Sequence, residues 1–485
     1  MQLKNLVFIA SALALGVLTA CGGGGGSGGA NSAPYVLNTA TLQAAPALGT
    51  TSLISTSLPL EAVGYKSSEY FFEGSARSFT SASPLSVDGK WSLTAQDQAD
   101  YKTRMVVYQP ASAAKFNGTV IVEWLNVSFG SDTAVDWLMA HNELIRSGYA
   151  WVGVSAQAAG VEALVRADKT RYGTLSHPGD SFSYDIFSQA AKAILKPQGI
   201  NPLAGLVPTK LIASGESQSA NRMLNYANAF GANQLFAQLF DGFFIHSRTY
   251  ASAPLSQAPQ TVLATPNGLT LRNDLPVPTL MLQTEWDVSA GATALARQAD
   301  TDKFRLWEVA GTSHVDNYVF AGMSDLGTDP NVANVVESNT LLNCSAPVNS
   351  GPQHFVVSAA FSALRRWAVE GTLPSIAPYI AVTGSPLRLQ VDANGNVLGG
   401  IRTPYVDAPT ATLSPNGQSA DGFCRLFGTT KLFTQAALAQ LYTNHDDYVT
   451  KVSASANAAL AKGFLLPADA ALINTAAQAS TIGNP

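Results

Sequence analysis

Ser217 is the residue on which a chemical reading of this chain turns. It lies in "LIASGESQSANR" (211–222), which nearly spells G-x-S-x-G, a sharp strand-to-helix turn that presents a serine hydroxyl for attack. The last position of that pattern is Ser219 rather than glycine. Helix and strand pack closely there, so the position asks for a small residue, and serine adds little to what glycine offers. Gly215, two before the serine, leaves room for the tight turn. Taken alone, Ser217 fits equally well as the N-cap of an ordinary helix. A serine hydroxyl is a weak nucleophile, so chemistry at Ser217 needs a base in hydrogen-bond reach and an acid that orients the base. Two later stretches supply both. "LMLQTEWDV" (280–288) runs into Glu285 and Asp287, and "LWEVAGTSHVD" (306–316) carries Gly311 and His314 past its apolar run.

Strands must bring these groups to one place. "GTVIVEWLN" (118–126) is a nearly continuous apolar run, as a strand buried on both faces requires. "AWVGVSA" (150–156), "KLIAS" (210–214), "FDGFFIHS" (240–247), "PVPTLMLQTE" (276–285) and "FRLWEVAG" (304–311) read the same way, and "EYFFEGSARSFT" (69–80) and "RMVVYQPA" (104–111) as early antiparallel strands. Helical spacing falls between them at 133–149, 183–196 and 219–231, and after them at 355–371. Strands alternating with helices predict an α/β chain with a mostly parallel central sheet flanked by helices. Residues 316–353 read as a loop-rich insertion, "DANGN" (392–396) as a hairpin turn, and 434–475 as Ala- and Leu-rich helix. The segment 374–485 is read as an elaboration on the same domain, which would span 35–485.

Only 13% of the 485 residues are charged, against about 25% in an average soluble domain. With a net charge of −5 and no basic tract, nucleic acid is not an expected partner. Residues 1–20 have the layout of an export signal: Lys4, then "LVFIASALALGVL", then small residues. The run is short for a membrane span. "LTAC" (18–21) resembles a bacterial lipobox, which would make Cys21 the lipidated N-terminus. "GGGGGSGGANSA" would then be the tether within residues 21–34. A lipid anchor is thus the one membrane contact expected, in the bacterial cell envelope at the outer membrane; an ordinary signal peptide that ends near a cysteine, with secretion of the protein, is the alternative. Cys344 and Cys424 remain, and an exported chain with two further cysteines is expected to join them; two separate buried thiols are the alternative. The six histidines show no metal-ligand spacing. There is no G-x-G-x-x-G, P-loop or H-E-x-x-H, so neither metal nor cofactor is expected.

The order serine, acid, histidine, each just past a strand, resembles that of α/β-hydrolases. A closer resemblance is to a bacterial family of secreted α/β-hydrolase-domain lipoproteins. It is carried by "GTVIVEWLNVS", "SHPGDSFSYDIFSQA", "SGESQSA", "FDGFFIHSR", "FRLWEVAGTSH", "GGIRTP" and "FCRLFG", across nearly all of the chain after residue 34. The resemblance implies hydrolysis of a carboxylic ester, small or polymeric, through an acyl-enzyme on Ser217 with His314 as base. The usual acid after this strand sits in a pattern like G-x-x-D, which Thr284 to Asp287 fits with threonine for glycine. Asp287 is therefore the expected acid and Glu285 the alternative. The oxyanion would be held by the N–H of Gln218 and by one from the loop around Leu125 to Val127, taken as Asn126. Trp124, Trp286 and "GFFIHSR" are read as core before cleft lining, and His177 and His246 as structural. Amide or peptide cleavage by the same residues, and an anchored binding protein without catalysis, are the competing readings; nothing in the sequence sets an oligomeric state.

Overall fold

The computed structural model describes residues 35–232, 239–328, 343–419 and 422–484. The export signal, Cys21 and the tether lie outside the described residues.

Ten strands form one sheet: β1 (Thr41–Ala44), β2 (Tyr65–Thr80), β3 (Thr94–Pro110), β4 (Thr119–Trp124), β5 (Ala150–Val154), β6 (Gln198–Gly199), β7 (Lys210–Glu216), β8 (Gly242–His246), β9 (Thr279–Thr284) and β10 (Phe304–Val309). Their order is β10-β9-β8-β7-β4-β5-β3-β2-β1-β6. From β5 to β10 across β4, β7, β8 and β9 every pairing is parallel. All residues of β4, β5, β8, β9 and β10 are buried. That explains their unbroken apolar runs: helices cover both faces, so no residue needs to face water. The helix Val135–Arg146 packs against the helix Gln353–Glu370, and Trp137, Trp151, Phe244 and Phe361 belong to the large core that includes them. The architecture is the α/β sheet expected from the sequence.

The antiparallel end is larger than the sequence signal. Strands β2 and β3 pair over most of their length, with a register shift between Arg77 and Phe79. The first half of β3, "TAQDQADY", is polar and mostly exposed, so no apolar alternation marks it. Backbone pairing with β2 holds it instead.

Towards the C-terminus, "DANGN" turns the chain as expected, with Asp392 N–H donating to Asn396 O at 2.8 Å. The helix expected over 434–475 is three: Gln435–Leu441, His445–Ala461 and Pro467–Ala479. Asn444 caps the second by accepting from Asp447 N–H, and Pro467 opens the third at its first position. Both residues are start signals lying inside the Ala-rich run.

Cys344 and Cys424 form a disulfide with a sequence separation of 80. Chain-entropy arithmetic for a loop of that size gives roughly 4 kcal/mol of stabilisation. Native protein should therefore show no thiol reactivity at these positions without reductant, and reduction should lower its urea midpoint. Quantitative alkylation of both cysteines in unreduced protein would contradict the bond. Among the described residues, no helix is long and apolar enough to cross a membrane.

Candidate active site

Strand β7 ends at Glu216 and the helix Gln218–Phe230 begins two residues later, which leaves Ser217 alone to turn the chain. Its backbone sits at φ 59°, ψ −121°, a conformation that costs a non-glycine residue free energy and that surrounding structure must hold in place. Ser217 N–H donates to His246 O at 2.9 Å, which fastens the turn to β8. A Cβ at Gly215 would stand 2.9 Å from the carbonyl oxygen of Ser219, so the turn needs glycine there. Ser219 itself is buried, and its hydroxyl donates to Leu125 O at 3.3 Å. Serine replaces the glycine of the sequence pattern because its hydroxyl has a carbonyl to meet.

The half-buried Ser217 meets His314 directly: Oγ lies 2.8 Å from Nε2. On the other side of the ring, Nδ1 lies 2.6 Å from Asp287 Oδ1. Asp287 is fully buried, and its second oxygen accepts from both the N–H and the hydroxyl of Thr284, each at 2.8 Å. These contacts fix the carboxylate plane. A carboxylate at Nδ1 places the ring proton there, leaving the Nε2 lone pair to face the serine O–H. The loop carrying His314 is tied down by its neighbours, since the Ser313 hydroxyl and Val315 N–H both donate to Leu426 O, at 2.6 and 3.1 Å. The Trp286 ring stands 5.0 Å from the imidazole.

Glu285, the alternative acid, faces elsewhere. Its carboxyl accepts the N–H of Gly311 and is buried, so it braces the turn after β10 rather than the imidazole. Burial pushes its pKa up to about 8. The folded form therefore keeps a proton that the unfolded chain gives up near the ordinary value of 4.5. Glu285 thus favours folding at low pH, and its contribution declines as pH rises from about 4.5 to 8. Glu285→Gln should flatten that part of the stability–pH curve, read from urea midpoints across the range; an unchanged slope would show Glu285 ionised in the native protein.

Asn126 requires a correction. Its N–H donates to Thr133 O at 3.0 Å, as one half of a backbone pair that closes the loop after β4. Leu125 N–H goes to Val154 O and Ser128 N–H to Asn126 Oδ1. Within 125–128 this leaves the Val127 N–H as the one these bonds do not engage. Gln218 opens its helix, where an N–H has no intrahelical partner.

The other aromatic and histidine residues are placed as core or bracing. Trp124 is buried against Tyr184 and Phe187. His177 bonds Ala156 O and accepts from Gly179 N–H. His246 is buried with Nδ1 2.9 Å from Asp136 Oδ1. Glu216 escaped the sequence reading although it adjoins Ser217. It is buried and accepts from the Asn126 amide. Its signal was available: an acid at the end of the otherwise apolar and small run "LIASG". Among the described residues no group of three or more His, Cys, Asp or Glu is arranged to hold a metal ion.

No curated protein matches the chain. Among solved structures, it is similar to fungal esterases from Rhizomucor miehei, at 10% identity over 62% of this chain and 85% of the other, with a TM-score of 0.32. A glucuronoyl esterase from Solibacter usitatus matches at 11% identity, over 57% of this chain and 82% of the other, TM-score 0.29. A rice cell wall degrading esterase from Xanthomonas oryzae matches at 12%, over 59% and 94%, TM-score 0.29. None of these likenesses is close enough to say what this chain acts on. A family profile described as "Alpha/beta hydrolase domain", by contrast, matches residues 33–475. The chain belongs to that alpha/beta hydrolase domain family.

Proposed function

We propose that this protein is an exported serine hydrolase that cleaves carboxylic esters through an acyl-enzyme on Ser217. The observation that carries the reading is the unbroken chain from Ser217 Oγ through His314 to Asp287, at 2.8 and 2.6 Å. In the first step Ser217 Oγ attacks the ester carbonyl while His314 Nε2 takes its proton. Asp287 holds the imidazole and stabilises its charged form. The N–H groups of Gln218 and Val127 receive the oxyanion. His314 then gives its proton to the departing alcohol, and a water repeats the sequence to free the acid. An ester is favoured over an amide because its carbonyl is more electrophilic and an alkoxide is a better leaving group than an amide anion.

The test is hydrolysis of short p-nitrophenyl esters by the domain from residue 35, with inactivation by a fluorophosphonate and the adduct mapped to Ser217. A label on Ser214 or Ser219, or no turnover of any ester in a broad panel by folded protein, would overturn the reading. Export would proceed through the signal at 1–20 and a lipid on Cys21. Cys21→Ser should then release the protein from the membrane fraction, and an unacylated mature N-terminus beyond Cys21 would reject the anchor.

A further inference from the structure

Asn126 and Glu216 make a contact that the chemistry above leaves unused. Glu216 closes β7 immediately before the nucleophile, and Asn126 stands just past the end of β4, the adjoining strand. The Asn126 amide donates to the Glu216 carbonyl oxygen at 3.1 Å and to Glu216 Oε2 at 2.9 Å. Its own Oδ1 accepts Ser128 N–H at 2.7 Å. One side chain thus grips the nucleophile turn with its nitrogen and shapes the next loop with its oxygen. Val127 lies between the two loop positions so fixed. On its far side the loop is closed by the reciprocal pair of Asn126 and Thr133, at 3.0 and 2.8 Å.

We propose that Asn126 and Glu216 are positioning residues that hold the Val127 N–H in register with the Gln218 N–H, so that both face the oxyanion. The proposal rests on the ester-hydrolase reading and assigns that reaction two residues that touch neither substrate nor nucleophile side chain.

The character of Glu216 suits the task. Its carboxyl is buried, Oε1 accepts no hydrogen bond, and that oxygen lies 3.8 Å from His314 Nε2. The groups around it are His314, His246 at the paired position of β8, and the acids Asp136, Asp287 and Glu123. Burial first, and then those acids, hold its pKa well above the ordinary carboxyl range. Burial thus favours the neutral form of Glu216 over the carboxylate. A full negative charge in its place would oppose the oxyanion as it forms; the neutral acid accepts from Asn126 without that opposition. A hydrocarbon side chain would carry no charge either, but it would release Asn126.

The experiment measures kcat, KM and the rate of fluorophosphonate labelling with p-nitrophenyl acetate as substrate. A misplaced oxyanion donor should cost somewhat less than the 10²–10³-fold seen when a donor is removed, so Asn126→Ala is expected to lower kcat by about 30-fold or more with KM nearly unchanged. Labelling should slow in proportion. Glu216→Ala should lose a similar factor, and the double variant no more than either single one, because both act through one contact. Glu216→Gln, neutral and able to accept from Asn126, should restore most of what alanine loses and leave the pH profile of kcat/KM in place. Asn126→Asp keeps the loop contact but turns a carboxyl toward Glu216, and its loss should deepen as pH rises. That variant carries the test if Asn126→Ala does not fold. If Ser217→Ala is inactive while folded Asn126→Ala or Asn126→Asp keeps kcat within about threefold of the parent, the positioning role is wrong and the ester reading stands. If Glu216→Gln is as damaged as Glu216→Ala, the neutral-acid role is wrong. Retained turnover in Ser217→Ala would instead overturn the ester reading itself.

Discussion

Ser217→Ala is expected to lower kcat for ester hydrolysis by about 10⁶-fold, the scale on which a nucleophile and its base act as a unit. The estimate depends on there being no substitute near at hand. Ser219 is buried and donates to Leu125 O, and Ser214 is fully buried within β7. Neither can take over at Ser217's position. Alanine and serine meet the same strain at φ 59°, and the backbone bond from residue 217 to His246 O survives the change. Folding should therefore be retained, with a melting temperature close to that of the parent. Residual turnover from the oxyanion N–H groups should remain measurable above water. A loss smaller than about tenfold would place the nucleophile elsewhere.

Asp287→Asn should cut turnover by roughly 10⁴-fold, because it reverses the tautomer of His314. The geometry here makes that reversal hard to escape. Thr284 presents an N–H and a hydroxyl to Asp287 Oδ2, at 2.8 Å each. An asparagine must answer the N–H with its carbonyl oxygen, so its NH₂ faces His314 Nδ1. That nitrogen then accepts, the ring proton moves to Nε2, and the lone pair that should take the serine proton is gone. Glu285→Gln should alter turnover far less, since Glu285 meets Gly311 rather than the imidazole. Steady-state kinetics of the two variants give the ranking; the opposite order would transfer the role to Glu285.

These expectations show where a sequence speaks and where it falls silent. Ser217, Asp287 and His314 are legible because each follows a buried strand, and parallel pairing must bring such strand ends to one edge. The threonine at 284 looks like a defect in a glycine pattern until its hydroxyl is seen to hold Asp287. Asn126 was readable as a neighbour of the Ser217 turn but not as the side chain that bonds Glu216. Whether its N–H is free depends on Thr133 pairing back across the loop, and a closed loop leaves no periodic mark. The polar half of β3 was hidden for a similar reason: its pairing is backbone to backbone, and its side chains say water. The helices after residue 434 were visible in composition, yet their breaks rest on single residues, Asn444 and Pro467.

The double hydrogen bond on Leu426 bears on the order in which the molecule is made. Ser313 and Leu426 are separated by 113 residues, yet the Leu426 carbonyl steadies the loop that carries His314. The strands that lead into Ser217, Asp287 and His314 all lie upstream of residue 426. Closure over such a separation is slow compared with local helix formation. A folding chain can thus hold its sheet and still lack a seated imidazole until Leu426 docks against the loop.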